Sequence, residues 1–451
     1  MIHPQDPRMA TLPCAFALLT LTLASCGTSE PPAAAAPTWH TDIRPIVESH
    51  CLDCHKKGGV APIELATREQ VVALKSAILT DLHSRRMPPF AADSTVRKYR
   101  FDDSLTPAQV KRFEDWFAAG APEGSPTAKG TPIKLERPAM SRVDLTIKVP
   151  HVYKPKGNPD DYRCFPVEWK HTTAKYVTAF GVTPGNAKIA HHAILFAISA
   201  GQGAEVDKFD NDDPGDGYAC YGAPNPPGAQ INPTFVGEWA PGTQGVDYPA
   251  GTGIKIEPGT RLVLQMHYNV SADPQGTDQT AVHLALADKV EREAWFLPWF
   301  NLQWFADPMT MKIAAGDAKA QHAYEEVPTK ADVATLTLPG VDLAAGFQVH
   351  AVLPHMHTRG RKLDLTTLHG DGKTETMLRI VNWDFNWQRL YFLAEPAKVA
   401  KGEKVRVQCQ WDNSDAGQPV VDGKKLPAKD LGWGEGTYDE MCIAFMYVTQ
   451  K

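Results

Sequence analysis

Positive charge is in short supply: 46 Lys and Arg face 52 Asp and Glu across 451 residues, a formal net charge of −6. The chain therefore lacks the basic footprint that a nucleic-acid partner requires. It has no apolar run long enough to cross a bilayer as a helix, and no internal repeat. Strong helical periodicity is rare after residue 125, while Pro (37) and Gly (34) are plentiful. That combination points to short strands and many turns, an all-β body. The length is too great for one core and implies two or three domains.

What is present begins with an address. Residues 8–26 read RMATLPCAFALLTLTLASC: one Arg, an apolar stretch of signal-peptide length, then Leu23-Ala24-Ser25-Cys26. The quartet resembles a bacterial lipobox, whose Cys26 carries lipid after cleavage, and GTSEPPAAAAP follows as a flexible tether. The expectation is a signal peptide over 1–25 and a tether over 26–37. The product is a periplasm-facing lipoprotein of the bacterial cell envelope, held at the outer membrane by its lipid anchor alone. An ordinary signal peptide with an incidental Cys is the blander alternative. Both export the chain to a compartment that permits disulfides.

Cysteine is sparse, 8 in all. Cys14 leaves with the leader and Cys26 takes the lipid. Cys51 and Cys54 belong to CLDCH (51–55), leaving Cys164, Cys220, Cys409 and Cys442. Four cysteines in an oxidising compartment suggest two disulfides, with three connectivities open.

CLDCH fits the c-type haem attachment pattern, in which two thiols take the haem vinyl groups and the adjacent His55 supplies an axial nitrogen. Before it, Ile43, Ile46, Val47 and Cys51 form a helical stripe. After it, Thr106-Pro107-Ala108-Gln109 reads as a capping box with Pro at the first helical position. Val110, Phe113 and Phe117 then line one face, and Gly120 suits a helix stop. Between the two helices, RRMPPF holds Met87 in a proline-stiffened loop able to present a thioether as the sixth haem ligand. His83 and His50 are rivals for that position, and core packing is the commoner fate of a Met. Residues 38–124 thus resemble a small all-α cytochrome c domain of the class I type. A linker over 125–140, mixing Gly, Pro and charges, is expected to let it approach the rest without fixing one pose.

Beyond the linker, three histidine stretches stand out among alternating strands. KIAHHAILFAIS carries His191 and His192, TRLVLQMHYNV carries His267, and LPHMHTRGRK carries His355 and His357. Residues i and i+2 of a strand share a face, so His355 and His357 converge. Adjacent histidines face opposite ways on a regular strand, so His191 and His192 share a metal only at a strand end or bulge. Singly, each is more often a sheet-surface histidine. Together they supply enough ligands for two mononuclear sites.

With GTYDEMCIAFMYV near the C-terminus, the motifs HH, HYN, HxH…GRK and DEMC occur in an order and spacing that resemble the copper type II, ascorbate-dependent monooxygenases. This is the family of the dopamine β- and peptidylglycine α-hydroxylating enzymes. The similarity covers roughly residues 140–451 and includes WAPG (239–242) and GEKVRVQCQWDNS (402–414). It implies two all-β, jelly-roll-like sandwich domains, 141–285 and 286–451, each holding one copper. His191, His192 and His267 would form a three-His site in the first. His355, His357 and Met441 would form the oxygen-activating site in the second. It also implies a Cys409–Cys442 disulfide, which leaves Cys164 with Cys220.

The ligand chemistry agrees, since a thioether suits Cu(I) and is a poor partner for hard ions. Inserting one oxygen atom of O2 into a C–H bond takes two electrons beyond the substrate's, and each copper stores one. Family members take electrons from ascorbate; the fused haem offers a second one-electron source, fed by an ascorbate-like reductant or a periplasmic cytochrome. Gln265, two residues before His267, is a candidate outer-shell group reaching toward substrate, against an equal expectation that it only packs. Where peptide-hydroxylating members place an Arg before HxH, this chain has Leu353, which argues against peptide amidation. Trp383, Phe385 and Trp387 alternate as strand residues would, either lining an apolar pocket or packing in the core. The function expected is hydroxylation of a small organic substrate. The rival is a haem-copper electron-transfer or copper-binding lipoprotein without hydroxylase activity, and a third reading is a β-sandwich binding module that holds no stoichiometric copper.

Overall fold

The computed structural model describes residues 35–450 apart from 60, 158–159, 221, 227–230, 242, 244, 330–337, 339–340 and 422. The leader and Cys26 lie outside the described residues.

The N-terminal part of this region is helical, with helices Arg44–His50, Arg68–Ala73, Lys75–His83 and Pro107–Ala118. Local chemistry explains their ends. Thr67 with Gln70 and Thr106 with Gln109 form complete capping boxes, each satisfying two otherwise orphan backbone donors. Pro107 fills the first turn of the last helix. Gly120 stops it at φ +82°, a left-handed conformation that glycine adopts without a Cβ penalty. The apolar stripes read from the sequence meet in one core of Trp39, Ile43, Ile46, Val47, Phe113, Trp116 and Phe117.

The remainder is built from β-sheets. A nine-stranded sheet runs through both halves of the body. Strands Leu145–Lys148, Ala281–Ala287, Lys175–Thr183 and Thr252–Ile256 lie at one end. Strands Arg292–Trp299, Ile443–Gln450, Phe347–His355 and Tyr391–Val399 lie at the other. A short parallel pairing of Arg292 with Thr252 joins the two ends. A five-stranded sheet that includes Asp160–Glu168, Ala190–Ile198, Thr234–Trp239 and Arg261–Asn269 packs on the first half. A four-stranded sheet of Ala320–Glu326, Gly360–Leu368, Thr374–Ile380 and Lys404–Trp411 packs on the second.

The central strands serve both cores through the period-2 alternation of a strand. In Arg292–Trp299, Ala294 and Phe296 enter the first core while Trp295, Leu297 and Trp299 enter the second. In Ile443–Gln450, Tyr447 enters the first, Met446 and Val448 the second. The two sandwiches therefore share a sheet. Disulfides Cys164–Cys220 and Cys409–Cys442 staple one sandwich each.

Two expectations are corrected. The 125–140 stretch forms no helix or strand, but it does not float. Gly130 N–H donates to His40 O at 3.1 Å, Asp247 N–H to Ala139 O at 3.1 Å, and the Arg137 guanidinium donates to the Ser49 carbonyl. Residues 90–101 are pinned as well, through the Ala92–Ile380 and Tyr99–Leu393 bridges and Arg100 N–H to Phe392 O at 2.9 Å. The helical segment thus has a fixed seat on the second sandwich. Secondly, Trp383, Phe385 and Trp387 lie in the turns between strands Thr374–Ile380 and Tyr391–Val399, not on a strand.

Candidate metal centre

His191 is the extra residue of a bulge. The pairing of Ala190–Ile198 with Arg261–Asn269 slips between Ala190 and His192, which stand opposite Tyr268 and His267. The slip lets two neighbouring histidines turn to the same side. One nitrogen of each of His191, His192 and His267 lies within 4.8 Å of the others. His191 Nδ1 and His267 Nδ1 are 3.2 Å apart. Nitrogens bound tetrahedrally to one ion with bonds of about 2.0–2.1 Å stand about 3.3 Å from each other, so a metal fits in place of the shared proton.

The outer side of His267 is already committed. Its Nε2–H donates to Asp160 Oδ1 at 2.9 Å, and Asn269 Nδ2 donates to the same oxygen at 2.9 Å. Tyr162 stacks on the ring at 4.0 Å. This leaves the Nδ1 lone pair facing His191. Burial works to raise the Asp160 pKa, but the hydrogen bonds from His267 and Asn269 outweigh it and hold the carboxylate below its ordinary value. Burial also pushes His191 down to about 3 and His192 well below the usual imidazole value. Both rings are neutral, the form a metal needs.

The second cluster forms where two strands end together. His355 closes its strand opposite Ile443, the first residue of the partner strand, so His357 and Met441 each lie two residues beyond the last pair. The rings of His355 and His357 are 5.1 Å apart and nearly perpendicular. His355 Nδ1–H donates to Gln388 Oε1 at 2.7 Å, and His357 Nδ1–H to the Asp439 carbonyl at 3.3 Å. For His355 this leaves Nε2 as the lone pair, while His357 is held by the Gly436 backbone as well as by Asp439. Burial holds both pKa values down. The backbone here is clamped by Glu440, which accepts from His357 N–H, Arg359 N–H and Trp411 Nε1–H at 3.1, 2.6 and 2.8 Å. Met441 is buried, and Cys442 beside it is tied to Cys409.

One loop, 381–390, joins the clusters. Trp383 Nε1–H donates to the His357 carbonyl at 3.0 Å. The Phe385 ring stands 5.4, 6.2 and 5.9 Å from those of His191, His192 and His357. Gln388 bonds His355 and, through Nε2 at 3.2 Å, His192. Sequence reading singled out the aromatic residues of this loop and passed over Gln388; its place beside them in NWDFNWQ was the available signal. Gln265 is engaged elsewhere: its amide donates to the Ala223 carbonyl at 3.2 Å and lies 3.4 Å from Cys220 Sγ. The structure brings together His191, His192 and His267, and separately His355 and His357; Met441 lies two residues before the strand that pairs with His355.

In the helical segment Cys51 and Cys54 are free thiols, both half-buried. His55 Nδ1–H donates to the Ile63 carbonyl at 3.1 Å, which fixes the tautomer with the lone pair on Nε2. Gly59 is required, because a Cβ there would meet the Cys54 carbonyl oxygen at 2.1 Å. The two rival histidines differ in their engagement. His50 donates Nδ1–H to Asp103 O at 2.8 Å and accepts from Gln109 Nε2 at 3.2 Å. His83 Nε2 pairs with Glu114 at 2.7 Å. Pro88 and Pro89, next after Met87, line a cavity of about 420 Å³ with Cys54, Glu238, Leu353 and Gln388.

Comparison with known proteins agrees with both halves of this arrangement. Residues 145–274 match the N-terminal domain of the copper type II ascorbate-dependent monooxygenases and residues 331–450 match their C-terminal domain. The human protein named DBH-like monooxygenase protein 1 is 22% identical over 274 residues, covering 58% of this chain and 39% of the relative. The chicken protein of that name is also 22% identical over 274 residues, covering 57% and 39%. The chain thus spans well under half the length of the curated relatives it matches. With matched domains over most of the β body and a histidine cluster within each, the chain belongs to the copper type II ascorbate-dependent monooxygenase family.

Proposed function

We propose that the chain hydroxylates a C–H bond of a small organic substrate with O2, using two coppers, with electrons delivered through a covalently attached c-type haem. His191, His192 and His267 hold one copper; His355, His357 and Met441 hold the other. Bound there, copper supplies one-electron storage at the first site and oxygen activation at the second. The chain's own side chains do the rest. Asp160, Gln388 and the Asp439 carbonyl orient ligand rings, Glu440 clamps the backbone under His357, and Phe385 keeps water from between the clusters. The observation that carries this reading is the pairing of free and committed nitrogens. His267 has Nε2 anchored on Asp160 and Nδ1 facing His191, and His355 has Nδ1 anchored on Gln388.

Cys51, Cys54 and His55 attach the haem, and Met87 is its sixth ligand, a choice supported against His50 by the engagement of both its ring nitrogens. A cavity lined by both Cys54 and Gln388 supports haem as the electron source. In domain terms, 38–124 carries the haem, 141–285 the three-His copper and 286–451 the His-His-Met copper. Cys26 is the lipid anchor of a periplasm-facing lipoprotein. The partners are O2, the substrate and a one-electron donor, either ascorbate-like or a periplasmic cytochrome.

The test is oxygen uptake by reduced, copper-loaded protein over a panel of C–H substrates, with product identification and metal analysis. Two coppers, one haem and one hydroxylated product are expected. Tight zinc without copper, or copper with no oxygen uptake on any substrate, is the result that defeats the proposal.

A further inference from the structure

Gln388 is 2% exposed, and its amide is fully committed. Oε1 accepts from His355 Nδ1 at 2.7 Å, while Nε2 donates to the Phe385 carbonyl at 3.1 Å and to His192 Nε2 at 3.2 Å. The orientation is fixed by Phe385: turned over, the amide would set two oxygens against each other.

A neutral imidazole that ligates through one nitrogen carries hydrogen on the other and needs an acceptor there. Gln388 gives that acceptor to His355, at its carbonyl end. To His192 it presents an N–H, the wrong group for a metal-bound ring. One carboxamide has a single acceptor end, so it cannot back both rings as ligands at once.

We infer that Gln388 couples the two copper sites antagonistically, so that filling either one weakens the other. The inference rests on the ligand assignment proposed above. If His192 binds through Nδ1, its Nε2 gains a hydrogen that meets the Gln388 N–H. If it binds through Nε2, the metal takes the lone pair to which Gln388 is bonded. Either way the amide must turn or withdraw, and His355 loses part of its support. In the other direction, metal on His355 Nε2 makes its Nδ1–H a stronger donor, which holds the amide more firmly in the orientation unfavourable to His192. Linkage requires the two effects to be equal.

The experiment is an anaerobic Cu(I) titration of the full chain against a chromophoric chelator. The product of the two association constants of the intact chain is divided by the product of those of the single-site variants His357→Ala and His191→Ala. The measurement is then repeated with Gln388→Leu and with Gln388→Glu in all three backgrounds. With Gln388 the ratio should be about one fifth or less, within the usual range of coupling between sites. Q388L should bring it at least about threefold closer to one, and repulsion between two cations accounts for what persists. Q388E offers an acceptor oxygen to each ring and should bring the ratio to one or above. Gln388→Met keeps the length of Gln without a donor or acceptor end and decides the matter if Q388L does not fold, because Q388E also sets one oxygen against the Phe385 carbonyl. A ratio unchanged in the apolar variants Q388L and Gln388→Met, or near one in the wild type, overturns the coupling while leaving the ligand assignment standing. Failure of the wild type to bind copper overturns the ligand assignment and the coupling with it.

Discussion

Asp160 Oδ1 lies 2.9 Å from His267 Nε2, on the side of the ring away from His191 and His192. The carboxylate fixes the tautomer that aims Nδ1 into the cluster, and it raises the basicity of that nitrogen. Asp160→Ala should therefore weaken copper binding at the three-His site by about 10- to 100-fold, the usual loss when a histidine ligand is deprived of its outer partner. Asp160→Glu should recover part of it. Chelator competition measures both, and an unchanged affinity in Asp160→Ala would remove Asp160 from the site.

Met441 is the softest ligand proposed, and its side chain is also core. Met441→Ala would confound lost coordination with a cavity costing about 2–5 kcal/mol. Met441→Leu nearly preserves volume and removes only the sulfur. It should abolish hydroxylation while the three-His copper stays bound. Metal analysis beside oxygen uptake checks this, and hydroxylation at the wild-type rate in M441L would show that Met441 is packing alone.

Which of these features the sequence discloses depends on how local they are. The capping boxes at Thr67 and Thr106 and the stop at Gly120 are legible because each is written within four residues of chain. The ligand candidates are legible too, as chemistry that is rare in clusters. Whether His191 and His192 can act together is not, because the bulge that turns them is set by register against His267, 76 residues away. Gln388 is hidden for the same reason: its contact with His192 closes a separation of 196 residues. The shared sheet follows from the non-local pairing of Arg292 with Thr252, which no periodicity within either segment can reveal. Trp383, Phe385 and Trp387 alternate as if on a strand, yet their loop is shaped by hydrogen bonds such as Trp383 to the His357 carbonyl, a tertiary contact that overrides the pattern.

The Cys409–Cys442 bridge closes a loop of 33 residues and ends beside Met441. Chain-entropy reasoning puts its contribution at about 3–4 kcal/mol. Replacing both cysteines with Ala should lower denaturation stability by that order and cut copper affinity at His355, His357 and Met441 more than at the three-His site. Equal losses at both sites would mean the bridge supports the fold and not the ligand.

His350 lies outside both clusters, buried with Nε2 2.9 Å from Thr449 Oγ1, and burial pushes its pKa down to about 4. As pH falls below the ordinary 6.5, the unfolded chain gains a proton that the folded chain refuses, so stability drops by up to about 1.4 kcal/mol per pH unit until about pH 4. Burial raises Glu238, Glu435 and Glu440 to about 7. These acids act oppositely in the same range, since the unfolded chain ionises first as pH rises. The informative quantity is therefore the difference between wild type and His350→Asn. Urea midpoints at pH 7 and pH 5 should show the wild type losing ground to the variant on acidification, and parallel pH profiles would mean His350 protonates freely in the fold.

The proposed haem would sit on a segment packed against the β body. The segment that carries Cys54 is seated on the second sandwich through Arg100 and Tyr99, and the cavity beside Cys54 reaches Gln388. Holding a one-electron donor in place keeps its effective concentration high at every turnover. Stopped-flow absorbance on anaerobically reduced protein mixed with oxygen and substrate should show haem reoxidation within the turnover time. Replacing Cys51 and Cys54 with Ala removes covalent attachment and should suppress turnover driven by a cytochrome donor, while ascorbate still supports part of it by reaching copper directly. His55→Ala keeps the thioether bonds and should give the same pattern with haem retained, which separates loss of the axial ligand from loss of the group. Full-rate turnover of haem-free protein with the cytochrome donor would place electron entry elsewhere.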